Sequence, residues 1–476
     1  MAEQARLADV EPEGSPLRRA GLLAFGSAVF WLLVGSVLGD LASLKFQFPD
    51  LLASPASFTF GRVRPAHLNA MIYGWASLSM LGTALWLVPR LVHVPLRWGR
   101  LARLGLVLWN VGLVIGVPGI LLGYTDGLEM HRYLADPWLV VGGGLVGASI
   151  LRTVLATRVR HLYVSIWYVA SAFVWFPIIY LTGNAPGASG VESAAINWFY
   201  AHNALGFWLT AIGLGAAYYF IPKVLGRPIY SYQLSLLGFW ALAFFYALNG
   251  MHHVIGGPLP SWMIATSLVA SFMMVIPVAA VAVNHHMSMV GRFGALRYSP
   301  TLRFVVVGAI SYTAVSLQGV FQSMVKVNRV THFTHWTIAH AHVGVYAFAT
   351  FILFGSAYYI LPRLVGREWP SARLISWHFW LVLSGIALYV VPLTVGGVLQ
   401  GLALSDPNVP FRASVDVVRP YLAIRTIAGF VLSAGHVVFA WSFVRLLRAA
   451  PAREVERRVF VRPIRVDFAE EREAAS

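Results

Sequence analysis

Twelve predominantly apolar stretches, each long enough to cross a bilayer, run through this chain near 20–43, 67–89, 101–123, 138–157, 162–182, 197–222, 233–255, 261–284, 302–325, 337–362, 375–402 and 423–447. A helix rising about 1.5 Å per residue needs about 20 such residues to span the hydrocarbon. Backbone groups in lipid must be satisfied within the protein. The spans therefore restrict the chain to an all-α, integral membrane fold of twelve transmembrane helices. Charged residues make up 11% of the 476 residues and the mean hydropathy is +0.69, whereas a soluble domain carries about 25% charged residues.

The chain reads as a single membrane domain over 1–476, with a polar lead over 1–19, a twelve-helix core over 20–448 and a basic tail over 449–476. No signal-peptide cleavage site follows the first span, so the lead is expected to be cytoplasmic. With the N-terminus inside, about 26 of the 35 Lys and Arg fall on inner segments and about 9 on outer ones. That is the positive-inside bias, and twelve spans return the C-terminus to the cytoplasm. The formal net charge of +16 is then a topology signal, and the tail reads as a membrane-surface element without a nucleic-acid partner. The longest extramembrane pieces, 44–66, the loop "SDPNVPFRASVDVVRP" and the tail, are too short to fold alone. Cysteine is absent, which excludes a C-x-x-C-H haem attachment, thiolate iron–sulfur clusters and a cysteine-bridged copper centre in this chain.

Histidine is costly in hydrocarbon and marks a site when it appears there. The stretch "THFTHWTIAHAHVGVYAF" places His340 and His342 two apart on one span. Two helical steps rotate by about 200°, so these rings face opposite sides and serve different centres. His67, His202, His252 and His253 complete a set of six. All six fall toward the outer ends of their spans although the spans run in alternate directions. Imidazole is the usual protein ligand of haem iron and also suits copper. The neighbours His252 and His253 could share one metal with a histidine of another helix, the adjacent "NGM" loosening that turn. Tyr246 lies seven residues before His253 on nearly the same face, and Ser235 lies eleven before Tyr246. Thr210 and Tyr218 extend this hydroxyl line inward. Acidic residues are absent from the middle of every span, which weighs against a transporter carrying protons on a buried carboxylate.

The segments "GRVRPAHLNAMIYGW", "NWFYAHNALGFWLTA", "FFYALNGMHHVIGG" and "VNRVTHFTHWTIAHAHVG" resemble the catalytic subunit I of haem–copper oxygen reductases, with the C-type (cbb-type) cytochrome c oxidases the nearest match. The resemblance covers nearly all twelve spans. It implies a terminal respiratory oxidase that reduces O2 to water with electrons from membrane-anchored cytochrome c-type subunits and translocates protons across a bacterial or archaeal cytoplasmic membrane. It implies two b-type haems and one copper. His67 and His342 would be axial ligands of a low-spin haem, His340 the proximal ligand of a high-spin haem, and His202, His252 and His253 the copper ligands. Tyr246 would be covalently linked to His202 and supply an electron and a proton. Thr210, Tyr218, Ser235 and Tyr246 would form the proton-input path, and Arg64, Trp198, His332 and Arg425 would hold propionates. Glu129 would help bind a calcium.

Several positions depart from the family pattern. Gly238 stands where a histidine is frequent, and Gln318 where a glutamate bonds the proximal histidine; a neutral amide there leaves the iron less electron-rich. His131 and Arg132 replace an acidic pattern near Glu129. The related nitric oxide reductases, the alternative reading, carry a glutamate four residues after the first copper histidine, where this chain has Gly206.

Overall fold

The computed structural model describes residues 11–450; the first ten residues and the basic tail from 451 lie outside it. Twelve helices have the length and apolarity to span a membrane: α1 (Pro16–Leu44), α2 (Phe60–Leu91), α3 (Gly99–Leu122), α4 (Asp136–Leu155), α5 (Val164–Gly183), α6 (Gly190–Leu225), α7 (Tyr232–Val254), α8 (Ser261–Met289), α9 (Pro300–Ser323), α10 (His335–Val365), α11 (Ala372–Ser405) and α12 (Phe411–Arg448). They run in alternate directions, and the end of the bundle where α1 begins is termed the inner end. Four helices that start there are N-capped by serine. Ser15, Ser231, Ser299 and Ser371 each accept the backbone N–H three residues on, which satisfies a donor that has no partner within the helix.

The order of burial explains where function can sit. In their most apolar windows α2 and α10 are 89% buried and α6 is 83% buried, against 33–56% for the other nine spans. A buried helix touches protein on all sides, so polar side chains there meet partners rather than lipid. These three helices carry His67, His202, His340 and His342. Each also contains a π-helical segment: Ala70–Ser77 in α2, Leu205–Thr210 in α6 and Val343–Thr350 in α10.

Two departures from regular helix shape the remaining spans. The outer end of α7 tightens into a 3-10 segment over Tyr246–Val254. In α8 the α-helix is interrupted at Met274, because Pro277 has no N–H to donate to the carbonyl four residues earlier.

The loop expected over 405–420 is mostly helix. α12 begins at Phe411, twelve residues before the expected span, with Pro420 inside it. Its first turns are polar, so hydropathy overlooks them; Asp416 lies 3.7 Å from Arg412 and 3.8 Å from Arg419 along the helix face, spacings that support a helix. Likewise α2 starts at Phe60, so His67 sits in its second turn rather than opening it.

Candidate metal centre

Three imidazoles converge near the outer end. Single ring nitrogens of His202, His252 and His253 lie within 4.8 Å of one another, the one group of three or more such ligands among the described residues. The 3-10 turn of α7 separates adjacent side chains by about 120°, and here it brings His252 and His253 to ring centroids 4.4 Å apart. Their orientation is fixed from outside the trio. The His252 backbone N–H donates to Ser267 Oγ at 2.8 Å and its Nδ1 lies 2.8 Å from Ser271 Oγ, both on α8. Trp198 stacks on His253 at 4.1 Å with planes 6° apart. His202 is buried and its Nδ1 has no hydrogen-bond partner. A buried polar atom without a partner is costly, and a metal ion is one way to satisfy it.

His340 faces the trio across a cavity of about 270 Å³, which Tyr246, Tyr312 and His332 also line. Its Nδ1 lies 3.4 Å from Gln318 Oε1, and Trp336 stacks beside it. The expected contact between position 318 and this histidine is therefore present, with an amide as the partner.

His342 takes no part in lining that cavity. It turns the other way, against Tyr389 at 4.3 Å between centroids, and close enough to His67 for the two rings to interact electrostatically. His342 Nδ1 bonds Ile338 O at 2.8 Å and His67 Nδ1 bonds Gly35 O at 2.7 Å. Each ring thus donates from Nδ1 to a carbonyl and leaves Nε2 available, the usual disposition of a metal-binding histidine. A Cβ on Gly39 would fall 2.7 Å from the His67 ring, so only glycine lets α1 pass there. Beside this pair, Arg425 Nε donates to Tyr389 Oη at 3.0 Å and Arg64 lies near Arg425. Neither arginine has an ion-pair partner among the described residues, which suits the anionic groups of a ligand.

Tyr246 stacks on His202, ring centroids 4.5 Å apart and planes inclined by 26°. Gly206 makes the room: a Cβ there would overlap Cε1, Cδ1 and Cζ of the Tyr246 ring. Of the expected hydroxyl line, Thr210 and Tyr246 line the cavity, while Tyr218 and Ser235 meet deeper in the bundle through Asn284. Its Nδ2 donates to Ser235 Oγ at 2.8 Å and reaches the Tyr218 hydroxyl at 3.4 Å. Ser235 and Tyr246 lie eleven residues apart on α7, and the polar contacts of Ser235 lead to Asn284 of α8 and through it to Tyr218 of α6. Sequence reasoning missed Asn284, His285 and Tyr312. The only trace of the first two was a polar run, "NHH", inside an apolar span.

Glu129 lies in a small antiparallel hairpin between α3 and α4, with β1 (Thr125–Asp126) paired to β2 (Glu129–Met130). Tyr73 donates to Glu129 Oε2 at 3.0 Å, and the Tyr73 hydroxyl also meets that of Tyr200. Burial pushes the Glu129 carboxyl up to about 7. Arg132 is held by Asp126, with backbone N to Oδ2 at 2.7 Å, and His131 Nδ1 accepts the Tyr133 N–H at 3.3 Å.

Fold and site together define a twelve-span membrane protein built around buried histidines, three of which lie close enough together to hold one metal ion. The family model for Cytochrome C and Quinol oxidase polypeptide I matches residues 19–431, and the chain belongs to that family. Among its relatives are a cytochrome c oxidase subunit 1 homolog of Agrobacterium tumefaciens, 33% identical over 90% of this chain and 84% of the relative. A cbb3-type cytochrome c oxidase subunit of Stutzerimonas stutzeri is 31% identical over 90% of this chain and 94% of its own length. In fold the chain matches a haem–copper terminal oxidase dimer solved by cryo-EM, with a TM-score of 0.76 at 16% identity over 95% of this chain and 88% of that one. The expected resemblance is borne out, and a non-redox transporter falls away with it.

Proposed function

We propose that this chain is the catalytic subunit of a C-type-like oxidase that reduces O2 to water with electrons from membrane-anchored cytochrome c-type subunits, coupled to proton translocation. The observation that carries the reading is the convergence of His202, His252 and His253 opposite His340 on one cavity, with Tyr246 stacked on His202.

The residues fit two haems and a copper. His67 and His342, with Nε2 free on each, would hold one haem; His340 would hold a second; the trio would hold copper. Arg64, Arg425, Trp198 and His332 lie where propionates would be held. When bound, these groups deliver electrons and hold the oxygen being reduced. The chain's own part is binding and proton supply. The Tyr246 phenol, largely buried at the cavity wall, holds a proton on its Oη that it can release together with an electron. Thr210, Tyr218 and Ser235, with Asn284, support a proton route from the inner end. For calcium the chain offers the Glu129 carboxylate beside the Tyr73 and Tyr200 hydroxyls, fewer oxygens than the six to eight such an ion takes.

Nitric oxide reduction is less well supported. No residue lining the cavity carries a carboxylate, and the Tyr246 ring fills the space a side chain at position 206 would need. The placement of the basic residues supports both termini in the cytoplasm, and the oxidase relatives support a bacterial or archaeal cytoplasmic membrane. The test is a reduced-minus-oxidised spectrum with pyridine haemochrome and metal analysis, alongside O2 consumption from reduced cytochrome c. Two b-type haems, one copper per chain and sustained O2 uptake are expected. Non-haem iron in place of copper overturns the oxidase reading in favour of nitric oxide.

A further inference from the structure

We propose that His285 on α8 is a proton-relay residue, standing between the inner polar entry at Ser235–Asn284 and the cavity wall at Tyr312. This rests on the oxidase reading above. His285 is 2% exposed, and neither of its ring nitrogens has a hydrogen-bond partner. An imidazole placed only for bulk would leave two polar atoms desolvated for nothing, where leucine or phenylalanine would pack as well.

The surroundings give the ring a purpose. It lies against Tyr218 with centroids 4.5 Å apart, and Tyr218 meets Asn284, the residue that also holds Ser235. On the far side of Tyr218, Tyr168 of α5 stacks at 5.8 Å. The Tyr168 hydroxyl and Ser165 Oγ are also buried without partners among the described residues. Tyr312 lines the cavity and lies near Tyr168, Tyr218 and Tyr246. Polar atoms without partners thus gather on His285 and Tyr168, both packed against Tyr218, the pattern that buried water serves. The ionisable groups around this route are Tyr218 of α6, Tyr168 of α5, Tyr312 of α9 and His286, whose Nε2 is turned to Thr313 at 3.2 Å. No carboxylate is bonded to any of them. His285 is the group there able to accept a proton on one nitrogen while releasing the proton carried on the other. It ends as the opposite tautomer, which a ring flip or a return hop resets.

The test uses the purified, haem- and copper-loaded enzyme with His285→Phe, which keeps the bulk, and His285→Gln, which keeps polarity without a titrating ring. Both should retain the wild-type haem spectrum and copper content. Both should lose at least about tenfold in O2 turnover and in the rate of proton uptake, as removal of a proton-transferring group does. Free imidazole should restore part of the loss in His285→Gln and little where phenylalanine fills the site, whereas a merely structural role would give no rescue. Wild-type turnover and proton uptake in either variant overturns the relay while the oxidase reading stands. A wild-type enzyme without O2 consumption overturns the oxidase reading, and the relay with it. If His285→Phe fails to fold, His285→Gln with and without imidazole decides: rescue supports the relay and its absence overturns it.

Discussion

The Tyr246 ring lies over the His202 imidazole, 4.5 Å between centroids, with Gly206 of the same helix as His202 beneath it. This contact joins a proton-bearing phenol to the proposed copper site. Tyr246→Phe should keep both haems and the copper but lose about a hundredfold or more of O2 turnover, since the hydroxyl is the only part removed. In the wild type, mass spectrometry should find the His202 and Tyr246 peptides joined, with the loss of two hydrogens. Full turnover in the phenylalanine variant would remove Tyr246 from the reaction.

Gly206 provides a separate test of that geometry. Gly206→Ala should push the Tyr246 ring off His202, because the added methyl has no free volume. Overpacking of this kind costs about 1–3 kcal/mol; felt at the reacting groups, that is about tenfold or more in rate. Haem content should be unchanged, and an altered copper signal with slowed O2 uptake is expected. An alanine variant as fast as the wild type would show that the stacking has no role.

His340 and His342 should separate spectroscopically. His340 borders the cavity and His342 does not, so His340→Ala should remove the carbon monoxide-binding haem and His342→Ala the low-spin haem signal. Loss of the same spectral component in both variants would contradict the two-sided arrangement.

Much of this was legible before any coordinates, and for a physical reason. Imidazoles in hydrocarbon stand out because lipid tolerates them badly, and a period of 100° per residue dictates which face each occupies. What was not legible depended on neighbours. Nothing in "LGFWLT" or "VGVYAFAT" signals a π segment, since packing against adjacent helices selects it. The early start of α12 was hidden because "RASVDVVR" is too polar for a hydropathy window, although its charges pair along a helix. Asn284 was visible as a polar residue but had no identifiable partner until α7 and α6 were placed beside it.

Glu129 sets a pH dependence whose sign follows from linkage. Burial raises its carboxyl to about 7 in the fold, against an ordinary value of 4.5. Between those values the folded protein holds a proton that the unfolded chain has released, so stability falls as pH rises through that window and levels off above it. Glu129→Gln should flatten this component. The thermal midpoint of the purified protein from pH 4.5 to pH 8 measures it. A wild type and a glutamine variant with parallel profiles would mean that the carboxyl is not perturbed, or that a bound cation holds it ionised.

The three π segments begin three residues after His67 and His202 and directly after His342. A π segment amounts to one residue too many in a helix that resumes its normal winding afterwards. Each of these helices is thus divided into an outer portion that aims a ligand and an inner portion that packs the bundle, with an angular offset between them. The offset lets the two portions obey different constraints, as a coupling sets the phase between two shafts. Winding Val343–Thr350 as regular α-helix with its residue count unchanged would turn the outer portion of α10 by about 100° relative to the inner. His340 and His342 would then both point away from their centres while every residue of the packing face stayed in place.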